Sequence, residues 1–383
     1  MADAAPAVGT STTPRLAWVD ATRGYCVVAV VLFHVVLWNV LSADAVDDVA
    51  DGVWGLVNTV LDSVRMPVLV AVSGLVLARQ VRAGLRTSTT GYRAAANYYL
   101  YVVWLLVYFL FFAVFAQAYL RHRVDGADVL VQLLVPDTTL WYVYALAAYI
   151  VVLSLLHRAP PVPVLVVAAL VSTVAHALRV WDVPGVADQF WPKVPEMVVF
   201  FALGVYGAGV LRRLAERASV VVLLVAAAAA AALTVANRLV DGPLADSLFF
   251  VVRCTAFVAV SVVAVALAVR WEPLRRLGVA LGRRTLGVYV LHPLLIGVWI
   301  VVVRTWGGDR LDDVLGQRAT ALVYPLVVTA VVVAVSVGVQ TVLTRTPLAF
   351  LFEMPEPLRA RFGRGDLPVR AAAAPEPERT THG

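Results

Sequence analysis

Long apolar segments recur along the chain, and they constrain its fold more than any other feature. Each is about 20 residues long, which lets a helix cross a hydrocarbon core of roughly 30 Å. Ten such segments lie near residues 23–42, 60–79, 98–120, 139–157, 161–180, 195–212, 218–237, 247–269, 284–303 and 320–344. A helix satisfies all its backbone groups within one segment, as lipid requires. The sequence therefore predicts an all-α polytopic membrane protein with ten transmembrane helices.

Composition argues against a soluble protein. Hydrophobic residues make up 61% of the chain and charged residues 15%, whereas soluble domains carry about 45–50% and about 25%. The net charge of +6 resides largely in short loops between apolar segments, where basic residues set topology. We therefore expect the lipid bilayer, and no nucleic acid, as a partner. Cys26 and Cys254 both lie in apolar segments, which predicts neither a disulfide framework nor a thiolate metal site.

The distribution of basic residues predicts the orientation. With the N-terminus in the cytoplasm, the cytoplasmic loops and termini carry 21 of the 31 Lys and Arg residues and the opposite loops carry 8. Short loops rich in Lys and Arg stay on the cytoplasmic side. Both termini are therefore predicted to be cytoplasmic, in a multi-pass protein of the cytoplasmic membrane.

The membrane segments form one domain, which we place at residues 15–346. Residues 1–14 are rich in Pro, Thr and Ala, and residues 347–383 are charged and rich in Pro and Ala. Segments of this composition bury too little apolar surface to fold alone. We expect a disordered N-terminal tail and a disordered cytoplasmic C-terminal tail.

The first span carries two candidate functional residues, Arg23 and His34, after a polar entry that includes Asp20 and Gly24. Eleven residues are three helical turns plus about 20°, so the two side chains share one face with roughly 16 Å of rise between them. An Arg at a helix end is by itself an ordinary interfacial anchor. An ionisable residue within a membrane span suggests a function, and an imidazole can take and return a proton.

Two later spans carry further candidates. In the second span, Arg65 lies near the start, and Ser73 and Gly74 lie at mid-depth, where small residues commonly serve helix packing. In the ninth span, Tyr289 and His292 are three residues apart and share one face. The depth of His292 is comparable with that of the first-span histidine, which favours a shared function.

Other polar residues give weaker signals. Arg253 lies about two turns inside its span, where it is expected to pair with Glu196 or Asp62 or to recognise an anionic acceptor. His176 and Glu196 lie near span ends, and Trp141 begins a span, positions typical of the membrane interface. The sequence contains no metal-ligand set, no phosphate-binding glycine loop and no nucleophile elbow.

Taken in order, four segments resemble the acyltransferase 3 family of membrane-bound acyltransferases. They are Asp20-Ala-Thr-Arg23-Gly24 with His34 after ten residues, Arg65-Met-Pro with Ser73-Gly74, Leu140-Trp141-Tyr142, and Leu286-Gly-Val-Tyr289-Val-Leu-His292. The resemblance covers residues 15 to about 345. It departs from the family at Arg93, which is followed by three alanines and Asn97 with no proline.

This resemblance implies transfer of an acyl group, commonly acetyl, from a cytoplasmic acyl-CoA to a hydroxyl of a glycan, lipid or secondary metabolite. Acyl-CoA would be a donor substrate, and no bound cofactor or metal is expected. The resemblance makes Arg23 and His34 the essential pair, with His34 as general base and Arg23 in donor binding. Asp20 and Gly24 would be structural. The candidate substrate-binding residues are Arg65, Ser73, Gly74, Trp141, Arg253, Tyr289 and His292.

Two other classes of function stay open at the level of sequence. Ten spans with intramembrane histidines and arginines also suit a proton-coupled transporter or a flippase for a polar or anionic envelope precursor. A catalytically inactive sensor or scaffold is the third class, and it is disfavoured because both His34 and His292 are present. Covalent transfer of label from acetyl-CoA distinguishes an acyltransferase from the other two classes.

Overall fold

The computed structural model describes residues 16–43, 45–115, 126–186, 189–240, 242–307 and 310–362, all in helices, turns and coil. Its α-helices are α1 (Ala17–Val35), α2 (Asp48–Ala83), α3 (Ser88–Val114), α4 (Gly126–Gln132), α5 (Trp141–Leu155), α6 (Pro161–Val180), α7 (Lys193–Tyr206), α8 (Ala208–Glu216), α9 (Val220–Val240), α10 (Pro243–Ala268), α11 (Glu272–Gly282), α12 (Thr285–Val302), α13 (Arg310–Leu315), α14 (Arg318–Leu343) and α15 (Glu356–Arg359). The prediction of an all-α membrane fold is confirmed.

The number of spans depends on how two short elements are treated. Eight helices are long and apolar enough to cross a membrane, and α7 with α8, bent by 70°, is a ninth if it counts as one span. The apolar helix α5 has 15 residues, or about 22 Å at 1.5 Å per residue, which is less than the roughly 30 Å of a hydrocarbon core. These elements match the ten predicted segments in order. Ten crossings and cytoplasmic termini stay predictions.

Helix α1 occupies the centre of the bundle. It packs against α2, α10, α11, α12 and α14 and continues into a π-helical turn at Val36–Val40. Because apolar residues surround it on several faces, α1 is buried in protein for much of its length. We call the membrane side at which α1 begins the N-terminal side, and the other the opposite side.

On the N-terminal side, α11 lies directly against the start of α1. A Cβ on Gly282 would lie 1.9 Å from the carbonyl oxygen of Asp20, and one on Gly24 would lie 2.3 Å from the carbonyl oxygen of Gly278. Only glycine allows two helices to approach this closely. Asp20 and Gly24 therefore lie in a helix contact, consistent with the structural role expected for them.

On the opposite side, Asp47 joins two helices. Its carboxylate accepts hydrogen bonds from the backbone amides of Val49 and Ala50, which caps α2, and from Arg318 at the start of α14. The hydrogen bond from Arg318, together with those from the cap amides, lowers the pKa of Asp47. Capping by an ionised carboxylate fits the positive end of a helix dipole.

The C-terminal segment departs from the predicted disorder. Residues 347–362 form short helical turns, and Phe352 and Met354 are buried. The indole of Trp104 donates a hydrogen bond of 2.6 Å to the carbonyl of Leu351. The prediction of a disordered tail is wrong for residues 347–362, because apolar anchors among the charged residues pack against α3. Residues 1–14 and 363–383 lie outside the described residues.

Helices α2 and α7 meet through a pair of glycines. A Cβ on Gly74 would lie 2.2 Å from the carbonyl oxygen of Phe201, and one on Gly204 would lie 2.0 Å from that of Ala71. Both clashes involve backbone atoms, which cannot move aside without separating the helices. Gly74 therefore serves close helix packing, as the small size of glycine suggested.

We expect Gly204→Ala to destabilise the protein by about 1–3 kcal/mol, the usual cost of overpacking. The measurement is the midpoint of thermal unfolding in detergent. Gly209→Ala is the matched control, since Gly209 is helical and a Cβ there would meet nothing within 4 Å. Equal midpoints for the two variants would contradict close packing at Gly204.

Candidate functional site

His34 and His292 form a pair at the centre of the bundle. Their ring centroids are 5.0 Å apart, and Nε2 of His292 lies 3.2 Å from Nδ1 of His34. In each ring, Nδ1 also lies close to the carbonyl oxygen four residues earlier: 2.9 Å from Val30 for His34, and 3.1 Å from Val288 for His292. The sequence predicted a comparable depth for the two histidines, and in the structure their rings lie in contact.

These contacts determine where the protons of neutral rings reside. A carbonyl oxygen only accepts hydrogen bonds, so each Nδ1 carries a hydrogen. The Nδ1 hydrogen of His34 then lies between the Val30 carbonyl and the lone pair on Nε2 of His292. Nε2 of His34 is left with a lone pair and has no hydrogen bond to the described part of the chain. This atom can accept a proton.

His34 lines a cavity of about 140 Å³ that we call the histidine cavity. His34 is half-buried and His292 is fully buried. Trp38 lies against the His34 ring with centroids 4.8 Å apart. The cations Arg65 and Lys193 line the same cavity, which places positive charge near the accessible imidazole.

A second cavity, of about 320 Å³, lies toward the N-terminal side. We call it the arginine cavity because Arg23 and Arg93 line it. Glu353 and its buried neighbours Phe352 and Met354 form part of its wall. The C-terminal segment is thus part of this cavity.

Two tyrosines separate the arginine cavity from the histidine cavity. Tyr289 lines both, and its hydroxyl donates a hydrogen bond of 2.5 Å to the carbonyl of Thr139. Tyr142 packs edge-on against it with ring centroids 5.2 Å apart. The hydroxyl of Tyr142 is 2.8 Å from that of Ser73. We call Tyr142 and Tyr289 the tyrosine wall. Ser73 therefore contacts the tyrosine wall and lines none of the cavities described here.

A third cavity, of about 610 Å³, lies toward the opposite side. We call it the charged cavity. It shares Arg65, Trp141 and Lys193 with the histidine cavity. The three cavities therefore follow one another across the bundle, with His34 in the middle one.

Ion pairs cross the wall of the charged cavity. Glu196 lies 2.7 Å from Nδ1 of His176 and 2.5 Å from Arg179. Asp246 lies 3.3 Å from Nε2 of His176 and 3.3 Å from Arg253. This network links α6, α7 and α10. It provides polar, charged groups within the apolar part of the chain.

Two interpretations of single residues are corrected here. Arg253 pairs with Asp246, whereas the expected partners bind other arginines, Glu196 to Arg179 and Asp62 to Arg65. Trp141 and His176 are buried within the bundle rather than interfacial, with exposed fractions of 5% and 9%. Both line the charged cavity.

Several residues of these cavities were not singled out from the sequence. They are Tyr92, Arg179, Lys193, Arg238, Asp246 and Glu353, and Arg93 and Asn97 were named only as a departure from the family. Most lie at predicted span ends, where charged residues are ordinary and give no distinct signal. Lys193 is the single lysine of the chain, but its count alone says nothing about mechanism.

Comparison with known proteins agrees with the segments that suggested a family. The family model described as an acyltransferase domain matches residues 16–341. No curated protein and no solved structure gives a significant match. The matched residues include nearly all of the helices described above. This multi-pass membrane protein therefore belongs to the acyltransferase 3 family.

Proposed function

We propose that this protein is an O-acyltransferase of the cytoplasmic membrane that transfers an acetyl group from cytoplasmic acetyl-CoA to a hydroxyl of a glycan, a glycolipid or a secondary metabolite. The observation that carries the proposal is Nε2 of His34, which has no hydrogen bond to any described residue and lies in a cavity between two larger ones that lie toward opposite sides. Donor and acceptor can approach this atom from different sides.

The arginine cavity is the proposed entry for the donor. Arg23 and Arg93 supply two positive charges, and guanidinium groups bind phosphate oxygens well. The positive-inside distribution favours the cytoplasm on this side. In this arrangement Arg23 holds a phosphate of acetyl-CoA while the thioester end extends past Tyr289 toward His34.

In the proposed reaction, Nε2 of His34 takes the proton of the acceptor hydroxyl as the oxygen attacks the thioester carbonyl carbon. The carbon–sulfur bond breaks, an ester bond forms, and the proton passes from His34 to the departing CoA thiolate. His292 accepts the hydrogen bond from Nδ1 of His34 and so keeps the lone pair of Nε2 available. General base catalysis of this kind typically contributes about 10²–10⁴ in rate.

Negative charge develops on the carbonyl oxygen during this attack. Arg65 and Lys193 line the histidine cavity, and cations near a developing oxyanion stabilise the transition state. We propose that these two side chains serve that purpose. Trp38 and Phe33 restrict the space around the imidazole, which limits water that would hydrolyse the thioester.

A proton-coupled carrier is the second candidate, because three cavities in succession across a bundle also suit transport. The two functions differ in covalent chemistry. A transferase breaks the thioester, whereas a carrier leaves its substrate intact.

For wild-type membranes supplied with radiolabelled acetyl-CoA, we expect release of free CoA thiol together with alkali-labile labelled ester. Thiol release is measured with a thiol reagent, and membranes lacking the protein give the background. Movement of intact label across the membrane without thiol release would replace the transferase by the carrier.

A further inference from the structure

The charged cavity continues sideways into an apolar cleft of about 380 Å³ between α9 and α10. We call this the alanine cleft, formed by Ala227, Ala230, Ala231, Val235, Phe257 and Val260. It shares Leu56, Thr234, Arg238 and Phe257 with the charged cavity. A polar chamber and an apolar slot are thus joined.

Helix α9 borders this cleft and faces outward. Of its 21 residues only Ala230 is buried. In a membrane, the exposed apolar side chains of such a helix contact lipid. The alanine cleft therefore lies beside the hydrocarbon, where a lipid chain can enter it.

Buried polar atoms without partners indicate that the charged cavity accommodates a ligand. Asn58 is 6% exposed and Arg65 is 5% exposed, and both line this cavity. Oδ1 of Asn58 and Nε of Arg65 have no hydrogen-bond partner among the residues that the structure describes. Leaving such groups unsatisfied is costly, and native structures satisfy most of them. A polar ligand with donors and acceptors fits these atoms.

The charge of the cavity indicates an anionic ligand. Among the described residues that line it, five are Lys or Arg and three are Asp or Glu. Arg65, Arg179 and Arg253 each pair with a carboxylate, whereas Lys193 and Arg238 have no ion pair within the described ranges. These two cations account for the positive excess.

The positions of the two unpaired cations suggest how such a ligand lies. Arg238 lines both the charged cavity and the alanine cleft, and Lys193 lines both the charged cavity and the histidine cavity. An anion at Arg238 would thus adjoin the apolar slot. A group near Lys193 would adjoin His34. The order of these features matches the parts of a phosphate-linked lipid: the apolar cleft suits the chain, the cation suits the phosphate, and the polar chamber beside the base suits the headgroup.

We propose that the acceptor is a phosphate-containing lipid with a free hydroxyl on its headgroup. Its chain occupies the alanine cleft, its phosphate binds Arg238, and its headgroup fills the charged cavity as far as Lys193. A cavity of about 610 Å³ is within the usual range of roughly 300–1,000 Å³ for small-molecule sites. The inference rests on the proposed function and names its acceptor class; the headgroup hydroxyl becomes the acetyl ester and CoA leaves as the thiol.

The first test uses native membranes that contain the full-length protein and are supplied with radiolabelled acetyl-CoA. Membranes that carry His34→Gln give the background. We expect alkali-labile label in a phosphate-containing species of the chloroform–methanol extract. Esterified label found only in water-soluble or insoluble products, after remaining acetyl-CoA and acetate are removed, would overturn the lipid acceptor and leave the transferase function standing. Absence of esterified label from every fraction, after remaining acetyl-CoA is removed, would overturn the proposed function.

The second test fills the cleft. We expect Ala231→Leu to lower lipid labelling about tenfold, as extra carbon atoms in an apolar slot exclude part of the ligand. Ala228→Leu is the matched control, because Ala228 is exposed on α9 and lines neither cavity. Arg238→Gln is expected to produce a similar fall through loss of the phosphate contact. Labelling by Ala231→Leu and Arg238→Gln at the level of Ala228→Leu would overturn the assignment.

Discussion

Replacing His34 with Gln is expected to lower the rate of acetyl transfer by about 10²–10⁴, the contribution of a general base. Glutamine is polar and of similar size, so the α1–α12 contact is kept. Its amide cannot accept a proton at neutral pH. The acceptor hydroxyl would then have no base within the histidine cavity. The measurement is release of free CoA thiol from acetyl-CoA, in membranes with matched amounts of protein.

The control for this variant is His157→Gln. His157 is exposed in the short connection between α5 and α6, and its Nδ1 contacts the carbonyl of Ser154. It lines none of the four cavities described above. We expect wild-type transfer from this control. Near wild-type transfer by His34→Gln would instead show that His34 is not the base.

The sequence predicted the part of the site that depends on one helix. The spacing of eleven positions from Arg23 to His34 fixes their separation and shared face, since both lie in a continuous stretch of α1. Depth alone placed His292 at the level of His34, and their rings are in contact in the structure. Local periodicity and span depth are enough for such predictions.

The opposite side could not be predicted in the same way. Asp246 lies 70 residues from His176, a separation that no local period relates. It lies only seven residues, or two helical turns, from Arg253, but the alternatives weighed for Arg253 were carboxylates on other helices. The sequence accordingly suggested the wrong partners for Arg253. Burial of Phe352 in the C-terminal segment likewise depends on α3, which is distant in the chain.

The same limit explains why Ser73 and Gly74 were hard to interpret. Their small size indicated packing, and the structure places Gly74 against α7 and Ser73 against Tyr142. The family resemblance suggested a substrate contact for both. Neither lines a described cavity, so their placement favours positioning of the tyrosine wall over direct binding.

Replacing Arg23 with Gln is expected to raise the KM for acetyl-CoA by about 10–100-fold, with a smaller effect on kcat. Hydrogen bonds to charged groups contribute about 1.5–3 kcal/mol, and each 1.4 kcal/mol corresponds to a factor of about ten in affinity. Arg23 lines the arginine cavity, roughly 16 Å along α1 from His34. At that distance its side chain contacts the remote part of the donor rather than the reacting carbonyl. The measurement is initial-rate kinetics over a range of acetyl-CoA concentrations.

The matched control for Arg23→Gln is Arg158→Gln, since Arg158 is exposed on the same side and lines none of the cavities. Arg23→Lys separates charge from geometry, because lysine keeps the charge but not the planar fork that binds two phosphate oxygens. We expect a KM for Arg23→Lys between those of wild type and Arg23→Gln. A fall in kcat with KM unchanged would instead place Arg23 in the chemical step, since only an interaction specific to the transition state behaves in that way. The split between KM and kcat thus decides whether Arg23 binds the remote part of the donor or takes part in the chemical step.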